Sequence, residues 1–260
     1  MKQIVMATLL CGALGQANAA FVWATPFGDI GVSVHLTGEI KAGDLGRMQA
    51  QFKAERDKLP SFKPDPSQTF VYLNSPGGDL REAMAIGRWV RKIGMTTLVL
   101  PTHRCYSSCV YILAAGLHNN VTGQVGIHRP YLTAAPAVGV DTTMKIALRS
   151  SQDYFVTMNL PSQLADTMFS IPPDRLVVLD QTSMALYRLD QTDLGHQEAL
   201  DLKNAAFYGL TRQEYMVRNS RYQQLRERMC DKIQGLAKYE CWNEAKEKAG
   251  LHKTSVRAGE

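Results

Sequence analysis

Between Thr69 and His128 the sequence alternates between two kinds of period, and that rhythm restricts the fold more than any other feature. Thr69 to Leu73 is a compact apolar run of strand type. It leads directly into Asn74-Ser75-Pro76-Gly77-Gly78. Leu80 to Ile93 reads as a helix, with Ala83, Ala85, Ile86 and Val90 on its inner side and Gly94 to end it. Thr96 to Leu100 is a second strand. Ser107 to Ala115 is a small-residue, apolar helix followed by Gly116. Val121 to Ile127 is a third strand, with His128 at its end. Such alternation predicts an α/β domain with a largely parallel sheet. In sheets of that kind chemistry collects at the carboxyl ends of the strands. Gly77/Gly78, Ser107 and His128 all follow strands, so they are expected to share one site.

The flanks extend the pattern. Ile30 to Leu36 alternates as a strand, and Asp44 to Leu59 is a charged amphipathic helix ended by Pro60. Residues 61–68 hold two prolines and read as a loop, as does Thr133 to Val140. Asp141 to Met158 is one long helix stopped before Pro161. Ile171-Pro172-Pro173-Asp174 is a turn that starts the short segment Arg175 to Asp180, and Ala185 to Leu189 is a short strand. From Thr211 the chain becomes charged and helical. The expected organisation is an α/β domain over 20–211 and a helical extension over 212–260. That extension holds 11 Lys+Arg against 7 Asp+Glu, so it carries most of the net charge of +5. No basic run is interleaved with aromatics, so nucleic acid is not an expected partner.

The N-terminus predicts export. Lys2 gives a positive start, Ile4 to Gly15 a short apolar stretch, and Ala17-Asn18-Ala19 a small-x-small cleavage site. Residues 1–19 are thus expected to be a signal peptide and Ala20 the mature start. The stretch is too short to span a bilayer. Cys11 lacks the small residue that precedes a lipidated cysteine. No later stretch is apolar enough to span, so a soluble periplasmic protein is expected.

Four cysteines remain after the signal: Cys105, Cys109, Cys230 and Cys241. An even count in an exported chain favours disulfides, and four cysteines allow three pairings. The local pairing, Cys105 with Cys109 and Cys230 with Cys241, is preferred. Residues four apart at a helix start bring their Cα atoms within disulfide reach. Free buried thiols and a metal site are the alternatives. The metal site is the weaker one, because neither pair has C-x-x-C spacing or a nearby histidine.

Serine becomes a nucleophile only when a base takes its proton and donors meet the developing oxyanion. Ser107 at a helix start has unpaired N–H groups and the positive end of the dipole nearby. The Ser108 N–H follows it. The Gly77-Gly78 turn can expose another N–H, because glycine accepts backbone angles that other residues avoid. A plain helix cap is the simpler role for Ser107, and for Asp79 after Gly78. His35, His103, His118, His196 and His252 lie in strands, turns and polar segments and read as ordinary polar residues.

Thr69 to Pro130 resembles the ClpP/crotonase superfamily, and in particular the ClpP-type serine proteases. Leu73-Asn74-Ser75-Pro76-Gly77-Gly78 is similar to that family's oxyanion-hole turn. Ser107 to Gly116 is similar to its nucleophile helix, in the register that makes Ser107 the nucleophile. Val125-Gly126-Ile127-His128-Arg129-Pro130 is similar to the strand ending in the catalytic histidine. The Cys-x-Ser-x-Cys frame resembles exported, ClpP-like periplasmic proteins. The resemblance implies a spiral of parallel strands and helices with Gly77, Gly78 and Ser108 at the oxyanion hole and His128 as base. It also implies a peptide or protein substrate, no cofactor or metal, and a homo-oligomer built through the helix at 141–158. The Ser-to-His spacing is shorter than the family's. The third member of the triad is the point of departure. Asp180 is the nearest carboxylate to the expected position, with Asp174 further back. A Ser–His dyad, its histidine held by a backbone carbonyl or hydroxyl, is the alternative. Two other functions stay open: an inactive binding or assembly protein on the same scaffold, and a thiol–disulfide role for Cys105/Cys109.

Overall fold

The computed structural model describes residues 20–27, 31–59, 62, 65, 67–131 and 139–252. The expected signal peptide lies outside the described residues, as does most of the loop expected at 133–140. The chain divides into two compact units, one ending at Gln191 and the other starting at Thr192.

The first unit is α/β. Strands β1 (Phe21–Phe27) and β2 (Gly31–Thr37) are followed by helix α1 (Asp44–Arg56), β3 (Thr69–Asn74), α2 (Leu80–Ile93), β4 (Thr96–Val99) and β5 (Arg104–Tyr106). Then come α3 (Cys109–Leu113), β6 (His118–Val121), β7 (Gln124–Ile127), α4 (Val140–Thr157), α5 (Gln163–Ser170), β8 (Val177–Val178) and α6 (Gln181–Leu186). Two sheets form, in the orders β1-β2-β3-β4-β6 and β5-β7-β8. Strands β2, β3, β4 and β6 pair in parallel, with β1 as an antiparallel edge. In the small sheet β5 and β7 are parallel and β8 is antiparallel.

Period-two alternation explains the layering. Val32, Val34 and Leu36 of β2 and Val71 and Leu73 of β3 are fully buried on one face, in one core with Met48 and Phe52 of α1 and Ala83, Ile86 and Val90 of α2. The other face carries Trp23, His35 and Tyr72, whose rings stack at 4.4 and 4.5 Å. Helix α2 begins where the sequence predicts. The Asp79 carboxylate accepts the Glu82 N–H at 2.9 Å, and Gly94 closes the helix in the left-handed region at φ 80°.

Three expectations need correction. The helix expected over 107–115 is only Cys109–Leu113, because Ser107 adopts φ 54° and cannot be helical. The strand expected over 121–127 is two strands in different sheets, β6 and β7, with the bend at Thr122-Gly123. A Cβ at Gly123 would strike the carbonyl oxygens of Leu100 and His103, so only glycine fits that corner. The strand expected at 185–189 is absent. Asp180 instead accepts the Ser183 N–H at 2.7 Å and starts helix α6, a local cap that outweighs a short apolar run.

The second unit is helical: α7 (Leu194–Tyr208), α8 (Arg212–Cys230) and α9 (Leu236–Lys248). Thr211 and Glu214 form a reciprocal capping box at the start of α8. Its core is small, built on Ala205, Tyr215, Tyr222 and Ala245. Cys230 and Cys241 are bridged, with Cα atoms 5.8 Å apart, tying the end of α8 to α9. A core of that size gains from a covalent clamp. Closing so short a loop contributes about 3 kcal/mol in the chain-entropy account. The variant Cys230→Ala/Cys241→Ala should therefore lose roughly two orders of magnitude of amide-exchange protection in α8 and α9. Unchanged protection would show that packing alone holds the pair.

Candidate active site

The glycine turn after β3 is stitched to the serine segment by backbone pairing. Ser75 donates its N–H to the Arg104 carbonyl at 2.7 Å and accepts the Tyr106 N–H at 3.0 Å. Its buried hydroxyl accepts the Gly77 N–H at 3.1 Å. Gly77 sits at φ 100° and Gly78 at φ 143°, angles that L side chains rarely adopt. A Cβ on Gly77 would lie 2.7 Å from the Ser107 Cβ and 2.8 Å from the Tyr106 carbonyl oxygen. A Cβ on Gly78 would collide with the backbone of Ile40. Ile40 straps the turn from outside. Its N–H reaches the Gly77 carbonyl and its carbonyl accepts the Asp79 N–H, both at 2.8 Å. The Gly78 N–H is left without an acceptor among the described residues.

Ser107 occupies a tight turn between β5 and α3. Its φ of 54° places a non-glycine residue in the left-handed region, a conformation costing about 1–3 kcal/mol and held by its surroundings. Three restraints hold it here. The Ser107 N–H donates to the Gly126 carbonyl at 2.9 Å, and the Ser107 carbonyl accepts the Val110 N–H at 3.1 Å. The Cys105–Cys109 disulfide brackets the turn, with Cα atoms 5.2 Å apart. Ser107 is half-buried on a cleft, whereas Ser108 is only 4% exposed. The Ser108 N–H finds no acceptor among the described residues. Its hydroxyl is buried without a partner there too.

His128 arrives by strand register. Tyr106 lies opposite Gly126 in the parallel β5–β7 pair, so Ser107 is level with Ile127 and His128 comes next. Adjacent strands lie about 4.8 Å apart. The His128 Nδ1 is 2.8 Å from the Arg129 carbonyl oxygen. A carbonyl only accepts, so Nδ1 carries the proton and Nε2 keeps a free lone pair. No hydrogen bond joins the Ser107 hydroxyl to His128 among the described residues. Catalytic contacts of this type often tighten only when substrate binds.

Helix α4 bolts the serine helix in place. The Tyr111 hydroxyl of α3 donates to Ser151 Oγ at 2.8 Å. The Tyr154 hydroxyl of α4 donates to the Tyr111 carbonyl at 2.7 Å. Burial pushes both phenols well above the usual tyrosine range, so they remain neutral donors. Gly87 of α2 makes room, because a Cβ there would meet the Tyr154 hydroxyl. The cleft has a volume of about 890 Å³. Ser107, Ser108, Gly77, Gly78 and His128 line one part of it, and Met84, Met144, Ala147 and Met168 are among its apolar walls.

Comparison with known proteins adds little. No family model matches the sequence, and no curated protein matches it. Among solved structures, the chain is similar to a variant of a membrane-bound stomatin-specific protease, at 15% identity and a TM-score of 0.46, over 61% of this chain and 75% of that one.

The structure thus gathers Ser107, Ser108, Gly77, Gly78 and His128 around one cleft, and none of the other histidines lines it. Two expected roles do not match the geometry. The Gly77 N–H is engaged by Ser75, whereas the Gly78 N–H has no acceptor among the described residues. Asp180 caps α6, and no hydrogen bond or ion pair links it to His128 among the described residues. The group that orients His128 is the Arg129 carbonyl, which no side-chain pattern could reveal. Ser75, Ile40 and Tyr154 also carry no chemical signature, since they act through backbone pairing and burial. No cluster of His, Cys, Asp and Glu able to hold a metal ion occurs among the described residues.

Asp180 yields a pH test. Hydrogen bonds from Ser183 hold its carboxyl below the usual carboxylate range. A lowered folded-state value stabilises above the unfolded pKa, near 4, and that gain is lost as pH falls through the folded value. Asp180→Ala should therefore lower the melting temperature at neutral pH, and the gap from the parent should close in acid. Ser107 reactivity should stay within about twofold, as expected of a cap rather than a triad member. A collapse of that reactivity in Asp180→Ala would return the residue to the site.

Proposed function

We propose that this chain is an exported serine hydrolase of ClpP/crotonase type, acting on peptide bonds through a Ser107–His128 dyad. The observation that carries the reading is the 2.8 Å contact of His128 Nδ1 with the Arg129 carbonyl oxygen. The carbonyl holds the Nδ1–H, which leaves Nε2 as the proton acceptor on a cleft shared with Ser107.

In this reading Ser107 Oγ attacks the scissile carbonyl carbon while its proton passes to His128 Nε2. The oxyanion receives hydrogen bonds from the Gly78 and Ser108 N–H groups, which have no other partner among the described residues. The C–N bond then breaks, and His128 returns the proton to the leaving amine. Water attacks the acyl-enzyme with His128 again as base, releasing the acid and restoring Ser107. A neutral carbonyl stabilises the imidazolium less than a carboxylate would, so a modest turnover is expected. Two disulfides fit an oxidising compartment, and no described helix is long and apolar enough to cross a membrane. The periplasm is the proposed location. A homo-oligomer built through α4 is part of the same proposal, and α4 exposes Val140, Ile146 and Val156. A single-copy mass by light scattering would remove that part.

A fluorophosphonate probe should label the parent protein at Ser107. Ser107→Ala should abolish labelling, Ser108→Ala should retain it, and His128→Ala should slow it by about 10²–10⁴-fold. Labelling that survives Ser107→Ala would sink the assignment. The competing reading is an inactive binding protein, favoured by the lack of a carboxylate bonded to His128 among the described residues. It predicts no labelling of the folded parent.

A further inference from the structure

One wall of the cleft carries two guanidinium groups with no ion-pair partner among the described residues. Helix α2 presents Arg81, Met84 and Arg88 to the cavity. Their spacing of three and four residues puts them on one helical ridge. The Arg88 guanidinium lies 5.3 Å over the Tyr154 ring, a cation–π contact that steadies it while leaving its N–H fork available. Tyr154 is itself buried and hydrogen-bonded, so the platform is rigid.

The other charges of the cleft are accounted for. Glu39 pairs with Lys41 at 3.5 Å. The Asp79 carboxylate caps α2 through the Glu82 N–H. Arg81 and Arg88 form no ion pair or hydrogen bond among the described residues, and both are exposed. Helix α4 contributes Thr143, Met144, Ile146, Ala147 and Ser150 to the lining, none of them charged. The described lining thus holds Lys41, Arg81 and Arg88 against Glu39 and Asp79, and its one excess positive charge falls on the α2 ridge. Arginine matches a carboxylate with two parallel N–H donors, which gives direction as well as charge.

We propose that the Arg81–Arg88 ridge is an anion subsite that reads a carboxylate on the substrate, either an Asp or Glu side chain or a free C-terminus. It rests on the peptidase reading of the same cleft. Seven helical residues span about 10.5 Å, close to three residues of extended peptide at roughly 3.3 Å each. A peptide lying along the ridge can set an apolar side chain over Met84 and an acidic group on a neighbouring arginine. Arg88 carries the larger share, because Asp79 lies near the Arg81 end of the helix.

The test measures binding without turnover. The Ser107→Ala protein is titrated by fluorescence anisotropy with labelled octapeptides that have a central leucine. Glutamate, glutamine or lysine occupies each flanking position in turn, and the C-terminus is free or amidated. At one or more positions glutamate should bind about tenfold tighter than lysine. A preference set by the free C-terminus instead assigns the ridge to the chain terminus. The difference should vanish when Arg81→Ala/Arg88→Ala is added and should survive in Arg81→Lys/Arg88→Lys, which keeps the charge. Peptides that bind alike whatever their charge would overturn the subsite, as would a preference undiminished in the double alanine variant. Charge preference in a protein that the fluorophosphonate probe fails to label would sustain the subsite and defeat the peptidase reading. Labelling without charge preference would do the reverse.

Discussion

The close approach of the Gly77 backbone to Ser107 governs the site. With a Cβ only 2.7 Å from the serine Cβ, no other residue fits there without moving one segment off the other. That contact forces the glycine turn, and the turn in turn leaves the Gly78 N–H without an acceptor among the described residues. The pairing of Ser75 with the strand before Ser107 makes the arrangement rigid. Backbone hydrogen bonds are short and directional, so the two segments register to within tenths of an ångström. Flexible side chains could not set the Gly78 N–H beside Ser107 with that accuracy.

The rest of the first unit supports this contact. The strained Ser107 needs restraint on both sides. The disulfide and the Gly126 carbonyl restrain it from the strand side, and the buried Tyr111–Ser151 and Tyr154–Tyr111 hydrogen bonds fix the helix that follows. The same Tyr154 ring steadies Arg88 at the cleft wall. One residue thus couples the position of the serine helix to the charge of the groove. A buried, neutral phenol suits that role, because it holds direction without carrying charge into the core.

Much of this was legible in the residues. Asp79, Gly94 and the inner face of α2 announce that helix, because caps and period act locally. The Ser75 to Gly78 turn and the local cysteine pairings were readable for the same reason. Other features were hidden. Ser107 looked helical, since its left-handed angle is imposed by Gly77 and Gly126 from distant parts of the chain. Val121 to Ile127 looked like one strand, since nothing local says that a sheet ends at Gly123. Asp180 was the expected third member because it is the carboxylate nearest the position that the family resemblance implies. In the fold its first obligation is to a helix start.

By itself the sequence determined residue chemistry and local conformation: which serine stands beside which glycines, where helices can start, and which cysteines lie close enough to bridge. Those depend on covalent geometry and on neighbours a few positions away. Only the tertiary structure decided which N–H groups lack an acceptor among the described residues, that the Arg129 carbonyl meets His128 Nδ1, and that Arg88 rests on Tyr154 with no ion pair among those residues. Each of these is a question of what remains after every nearer partner has been satisfied. That remainder exists only once the chain has packed, because the competing partners come from segments far apart in sequence.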